Sequence, residues 1–455
     1  MYESQYCPGF TGTPHLPAGL KEIQRYVFQG CSGFSGTLNL SCTIETIGEC
    51  VFEGCSGFDG SLIVPNSVTT LNDYAFRSCS GFTGSLAILN KIIKITDGLF
   101  YGCYGFNGTL TIPDSVSEIS RDYAFRNCSG FNGTLTLTGK LTFIFKYAFY
   151  GCSGLNGQLK YPNDLYSISD YAFYKCSGFT GNLVFPASIK HISNYAFCKC
   201  TGFTGNLEFP ATILSYGSYA FAKCIGFDGN LILPNKDIGS DRSFSECSGF
   251  KRILKIPEKK KQIEAYMFYS CTEFTGLEFL GNTEIRPYAF SGCTGFTGTL
   301  KLPKDCDSIY EGAFANCSGF NSLILPARIE TIEKETFSGC CRLNDTLDIP
   351  HKIILIKDGA FRNCFNIKIT FNISSGVLHI GSYAFHNCSS ITGQLVLNEL
   401  LSIGSYTFYN CTGFTGQLIL PSKLTAINQS AFSKCTGFTS ISFGNSLQRI
   451  NDSAF

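Results

Sequence analysis

The feature that most constrains this chain is a unit that returns at nearly constant spacing. Nineteen of its 24 cysteines, from Cys7 through Cys128 to Cys435, share one register. Successive gaps are 24 or 25 residues as far as Cys224 and 22 to 24 beyond it. From Cys31 onward a phenylalanine stands three residues before each of them, as Phe28, Phe125 and Phe432 do, and Phe455 takes the same place at the end of the sequence. Three residues after the cysteine comes another apolar side chain, usually Phe34, Phe58 or their equivalents. A short alternating run closed by proline follows, as in Leu62-Ile63-Val64-Pro65 and Leu207-Glu208-Phe209-Pro210. The unit reads roughly C-S-G-F-T-G-x-L-x-I-P-x-x-[VI]-x-x-I-x-x-Y-A-F-x-x.

Each part has a local physical meaning. In L-x-I the first and third side chains share one face, which is the period of a strand. Proline has no N–H for a ladder and ends the run. The Ser-Gly and Thr-Gly pairs are turn formers, with glycine supplying unusual φ. The D-Y-A-F-x-x-C segment is too short for a stable helix and reads as one helical or 3₁₀ turn. A unit this small cannot bury its apolar residues alone, but stacked on copies of itself it can, so the chain reads as a repeat solenoid.

The pattern Leu-x-Ile-Pro followed by Ile-x-x-Tyr-Ala-Phe-x-x-Cys resembles the BspA-like leucine-rich repeats, a subclass found in surface proteins of bacteria and parasitic protists. The resemblance runs from about Cys7 to Phe455. Most repeats here read F-x-x-x-L-x-I, one residue longer than the L-x-x-L-x-L spacing, which Phe320–Leu325 and Phe274–Phe279 keep. The most degenerate repeats fall at about 340–391, where Leu343 and Ile367 replace Phe and Ser390 replaces Gly. The resemblance implies one leucine-rich-repeat solenoid over 1–455. It would be a right-handed coil of about 19 repeats of 22–25 residues, with a parallel sheet on one face and short helical or 3₁₀ turns elsewhere. It also implies adhesion or partner binding as the usual role.

The cysteine register is read as a stack of small buried hydrophobes, one per coil. Identical positions, odd in number, give no unique disulfide pairing. Cys198-Lys199-Cys200 and Cys340-Cys341 are close pairs, but no partner pair stands at zinc-finger spacing, so no metal site is expected. The off-register thiols Cys42, Cys50, Cys198, Cys306 and Cys341 are the better candidates for exposure.

Other chemistry is sparse. The five histidines, His15, His191, His351, His379 and His386, form no two-histidine helical motif, and no G-x-S-x-G elbow occurs. The stretch Gly133–Leu141 resembles a phosphate loop faintly. It has one residue too many between its glycines, and Leu141 where Ser or Thr would hold magnesium, so it reads as an ordinary repeat. Glu258–Lys261 reads as a solvated loop. No catalytic residue, cofactor or enzymatic role is expected.

Lys plus Arg is 35 and Asp plus Glu is 34, giving a net charge of +1. That balance argues against nucleic acid as a partner. No apolar stretch is long enough to insert in a membrane, and the N-terminus carries no visible signal peptide. Eleven N-x-[ST] sequons occur, Asn107, Asn132, Asn344 and Asn372 among them. Several, such as Asn127-Cys128-Ser129, arise from the repeat itself.

With Leu and Ile inward, the strand residues before and between them face out. These are Gln158 and Lys160, Asn182 and Val184, Asn206 and Glu208, Asn230 and Ile232, Thr299 and Lys301. They vary while the inward positions do not, as a binding face on a fixed scaffold would. Ile63, Ala87, Ile324, Val396 and Ile419 are outward and apolar, which suggests contact with protein; strand preference alone is the competing explanation. The Asn182, Asn206, Asn230 row could equally be a structural amide ladder. A second row, Tyr74, Tyr123, Tyr147, Tyr171, Tyr195 and Tyr219, is expected to pack over neighbouring coils. The expected function is a non-enzymatic cell-surface or secreted adhesin-like protein binding a protein or glycoprotein of host or matrix. The alternative is an intracellular, cytoplasmic interaction scaffold with the same fold. The last unit stops mid-repeat without a polar cap, so end-to-end association is also expected.

Overall fold

The structure, a computed structural model, describes residues 9–89, 91–137, 139–369, 376–397 and 399–455. Cys7, the first cysteine of the register, and the sequon at Asn372 lie outside the described residues. The chain divides into two compact units, Met1–Pro234 and Asn235–Phe455.

In the first unit the Leu-x-Ile runs form a ladder of parallel strands. Leu62–Val64 pairs with Leu86–Ile88. Thr134–Leu137 lies between Leu110–Ile112 and Asn156–Lys160. Phe203–Glu208 lies between Gly181–Leu183 and Leu231–Ile232. Like residues meet like: Leu62 with Leu86, Leu110 with Leu135, Leu207 with Leu231. Each repeat therefore brings the chain back to the same point one strand spacing on. Gly133–Leu141 is part of this ladder through Thr134–Leu137, the ordinary repeat that its sequence suggests.

A second ladder was not foreseen. The [VI]-x-x-I positions pair as short parallel strands of their own. Six of them form one sheet, running from Lys94–Ile95 through Ser167–Ile168 to Ser215–Tyr216. Ile144, Ile168, Ile192 and Tyr216 follow one another across it, all buried.

Between the ladders the core is two columns of phenylalanine. Phe100, Phe125, Phe149 and Phe173 stack with centroids 5.3 to 5.5 Å apart. Phe82, Phe106 and Phe131 stack beside them, and Phe100 meets Phe106 edge-on at 6.2 Å. Offset stacks along a column and edge contacts across it are the arrangements that ring quadrupoles favour. The Ser-Gly glycine serves close approach rather than a left-handed turn. A Cβ on Gly130 would collide with the carbonyl oxygens of Tyr104 and Phe106 in the coil before.

The Tyr-Ala-Phe segment is not the helical or 3₁₀ turn that its sequence suggests; no helix of either kind occurs among the described residues. Tyr123 and Asn127 have φ of 65° and 62°, and their equivalents in other coils repeat the pattern. A left-handed residue every fourth position breaks any right-handed helix. The backbone alternates its donors instead. Arg126 and Cys128 donate within the coil, to the carbonyls of Tyr123 and Phe125. Tyr123, Phe125 and Asn127 donate to Lys146, Ala148 and Tyr150 of the next coil. The segment thus satisfies itself and cements its neighbour at once.

The second unit repeats this plan. Ile253–Ile256 pairs with Gly276–Phe279, Gly298–Lys301 with Phe320–Ile324, and Gly416–Ile419 with Phe438–Ser442. Its other ladder includes Thr331–Ile332, Leu355–Ile356, His379–Ile380 and Ser402–Ile403. Phe268, Phe290 and Phe314 form a ring column of the second unit's own at 5.3 to 5.4 Å. In the degenerate stretch Leu343, Ile367 and Ile391 remain buried where Phe would stand, so the core closes over smaller side chains.

One charged residue departs from expectation. Lys260, within the supposed solvated loop 258–261, is 1% exposed. Its three ammonium protons are taken up by the Ile238 carbonyl at 2.8 Å and by both Glu264 carboxylate oxygens at 2.9 and 3.0 Å. A buried ammonium persists only with such full pairing.

Candidate binding surface

The Leu-x-Ile ladder presents two unlike faces. Inward, Leu159, Leu183, Phe185, Leu207 and Leu231 are buried. Outward, Gln158, Lys160, Asn182, Val184, Asn206, Glu208, Asn230 and Ile232 are all exposed. In the second unit Thr299 and Lys301 are exposed on either side of buried Leu300. The pleat and the register bring the eight residues of the first unit onto adjacent coils of one face. Ile63 and Val184 expose 56% and 57% of their surface, and Ile232, Ile324 and Ile419 are also exposed; Ala87 and Val396 are half-buried. Part of the asparagine row does structural work: Asn206 Oδ1 accepts the Asn230 N–H at 2.7 Å.

The family described as "BspA type leucine rich repeat region (6 copies)" matches residues 5–132, 121–251, 167–297, 261–392 and 356–455, which together span almost the whole chain. The chain belongs to the BspA-type leucine-rich repeat family. Among solved structures it is similar to a leucine-rich repeat protein from Bacteroides ovatus, at 24% identity and a TM-score of 0.63, over 77% of this chain and 87% of that one. A leucine-rich cell surface protein from Faecalibacterium prausnitzii aligns at 21% identity and a TM-score of 0.38, over 78% and 84%. No curated protein matches. The first likeness is one of fold.

Within this BspA-type fold the register cysteines from Cys31 to Cys411 are buried, as expected, and Cys435 is half-buried, but they are not inert. From Cys55 on, nearly every register thiol reaches the carbonyl of the phenylalanine in the coil before; Cys79, Cys103 and Cys176 do so at 2.9 Å. Burial pushes Cys103 and Cys152 up to about 12 and Cys128 well above its usual range. Of the off-register thiols, only Cys42 is exposed and Cys341 partly so. Cys50, Cys198 and Cys306 are buried, contrary to expectation. Cys198 follows Phe197 directly, in the stretch of turns that packs coil on coil, and Cys306 gives its thiol to the Ser308 carbonyl at 3.2 Å. No group of three or more His, Cys, Asp or Glu residues is arranged to hold a metal ion among the described residues. Likewise no described helix is long and apolar enough to cross a membrane.

The tyrosine row packs over neighbouring coils as expected. Tyr123, Tyr147, Tyr171, Tyr195 and Tyr219 stack at successive centroid distances of 5.0, 5.0, 4.6 and 4.6 Å. Each holds a left-handed φ, from 56° to 65°. That conformation costs roughly 1–2 kcal/mol for a residue with a Cβ. The left-handed φ is what the sequence could not reveal; the stack holds Tyr147, Tyr171 and Tyr195 in place from both sides.

Proposed function

We propose that this protein is a non-enzymatic, adhesin-like surface or secreted protein that binds a protein or glycoprotein of host or matrix through the outward face of the Leu-x-Ile ladder. One observation carries the reading. The inward residues of that ladder are mostly apolar and buried, while the outward ones are mostly exposed and change in charge, size and polarity from coil to coil. Exposed Ile63, Val184 and Ile232 add apolar area of the kind that protein contacts use. Two outward residues per coil are too few for a specific interface of roughly 20–30 residues a side, so binding spans several coils.

A second reading, an intracellular scaffold, is favoured by the row of hydrogen-bonded thiols, which suits a reducing compartment. Surface labelling of intact cells separates the two.

The face is tested by replacing Asn182, Val184, Asn206 and Glu208 together with alanine. A ligand captured by the parent chain should be lost while stability falls by no more than the Asn206–Asn230 hydrogen bond is worth, about 1 kcal/mol. Phe197→Ala is the control: its ring is fully buried between Phe173 and Phe221, and its loss should cost about 3–5 kcal/mol of stability. Undiminished binding by the quadruple variant would sink the reading.

A further inference from the structure

From Tyr74 to Tyr219 the tyrosine column is interrupted once, at Gly98. Gly98 keeps the left-handed φ of the column, 56°. The Tyr74 ring leans over it, so that a Cβ there would strike the ring edge. At this break in the column lies a cleft of about 180 Å³ lined by Tyr74, Arg77, Tyr101, Tyr123 and Arg126.

The two arginines differ. Arg77 lies 5.6 and 5.3 Å from the rings of Tyr74 and Tyr101 and is paired with Glu53 at 3.1 Å. Arg126 is set among four rings, Tyr101, Tyr123, Tyr147 and Tyr150, at 4.7 to 5.5 Å. Its guanidinium has no carboxylate partner and no hydrogen-bond acceptor among the described residues, and its Nε is buried without a partner. A guanidinium held among rings, with its donors unspent, is prepared for an anion.

We propose that this cleft binds one acidic pyranose unit of a glycan, a carboxylate-bearing sugar such as a uronate. The planar fork of Arg126 takes the carboxylate through paired N–H donors. The tyrosine faces meet the C–H face of the sugar, and their phenol groups meet its hydroxyls. The cleft is smaller than a drug-sized pocket and suits a single ring. A peptide carboxylate or an inorganic anion would use the arginines and leave the three rings without a role. The site lies on the turn segments rather than on the Leu-x-Ile strands, and it stands whether or not the strand face binds a protein.

The test is titration calorimetry of the full chain with sodium glucuronate, glucose, acetate, sulfate and a short sulfotyrosine peptide. Saturable binding of one glucuronate is expected, at least about tenfold tighter than glucose or acetate. Arg126→Gln should weaken it on the order of tenfold or more, the usual consequence of losing a hydrogen-bonded charge. Gly98→Tyr keeps the φ that Tyr74 and Tyr123 hold but must push the Tyr74 ring aside, so it should abolish binding with some loss in the unfolding midpoint. The proposal is overturned by no binding of glucuronate up to its solubility limit. It is equally overturned by acetate, sulfate or the peptide binding as tightly as glucuronate, or by an Arg126→Gln variant that binds like the parent.

Discussion

The thiol sulfur of Cys128 lies 3.0 Å from the carbonyl oxygen of Phe100, one coil earlier. The same oxygen accepts the backbone N–H of Cys103 at 3.2 Å. Both of its lone pairs are therefore engaged inside a dry core. The arrangement recurs in the first unit with Cys152 on Phe125 and Cys224 on Phe197, and in the second with Cys271 on Phe244 and Cys388 on Phe361. The fixed F-x-x-C spacing follows, because one carbonyl must serve a cysteine N–H in its own coil and a thiol in the next.

Cys128→Ala should lower stability by about 1–3 kcal/mol, since it opens a small cavity and frees one lone pair. Cys128→Ser retains a donor and should lose less. Urea unfolding midpoints check this; a serine variant less stable than the alanine variant would show that the thiol contributes only volume.

Alkaline pH should unfold the protein. An unfolded cysteine titrates near 8.5, whereas Cys103 and Cys152 are raised to about 12. The native state thus holds protons that the unfolded chain has shed. The thiol contribution is complete below pH 8.5 and falls as pH rises toward 12, by up to about 1.4 kcal/mol per unit for each thiol. Circular dichroism from pH 8 to 11 should show a cooperative loss. At pH 8, mass spectrometry after brief alkylation should find Cys42 modified well before Cys103, Cys128 or Cys152.

Replacing Tyr195 should invert an ordinary ranking. Tyr195→Ala removes the stack and keeps the cost of a positive φ, while Tyr195→Gly removes both. The glycine variant should be the more stable by about 1 kcal/mol, and thermal unfolding of the pair tests it.

Lys260→Met should cost about 3 kcal/mol, the low end for a buried pair, because the half-buried Glu264 carboxylate loses its counterion. Desolvation already raises the Glu264 pKa despite Lys260. A carboxyl raised in the native state contributes most at low pH and less as pH rises through its folded value. The deficit should therefore shrink between pH 7 and pH 4 in urea titrations, and Glu264→Leu in the same chain should recover most of it.

The inside and outside of the Leu-x-Ile strands were legible because a period of two admits one assignment: Leu183 buried, Asn182 and Val184 exposed. The Phe and Cys columns were legible because stacking requires sameness. The turn geometry was not, since nothing in Tyr-Ala-Phe states that its tyrosine is left-handed; only the next coil makes that conformation tolerable. Lys260 was misread because a run of lysines ordinarily points to water, and its acceptor at Ile238 lies 22 residues away. The cleft had a signal that went unused: Asp97-Gly98-Leu99-Phe100 stands where neighbouring coils have Asp-Tyr-Ala-Phe.

The thiol-to-carbonyl bond points one way along the chain. The oxygen of a phenylalanine in the F-x-x-C register waits for a donor some 27 residues downstream, as Phe125 waits for Cys152. During synthesis from the N-terminal end, each emerging turn would bring the group that seals the one already made. Assembly of this kind is vectorial: what leaves the ribosome last completes what left before it, and the newest edge alone stays open to the next arrival.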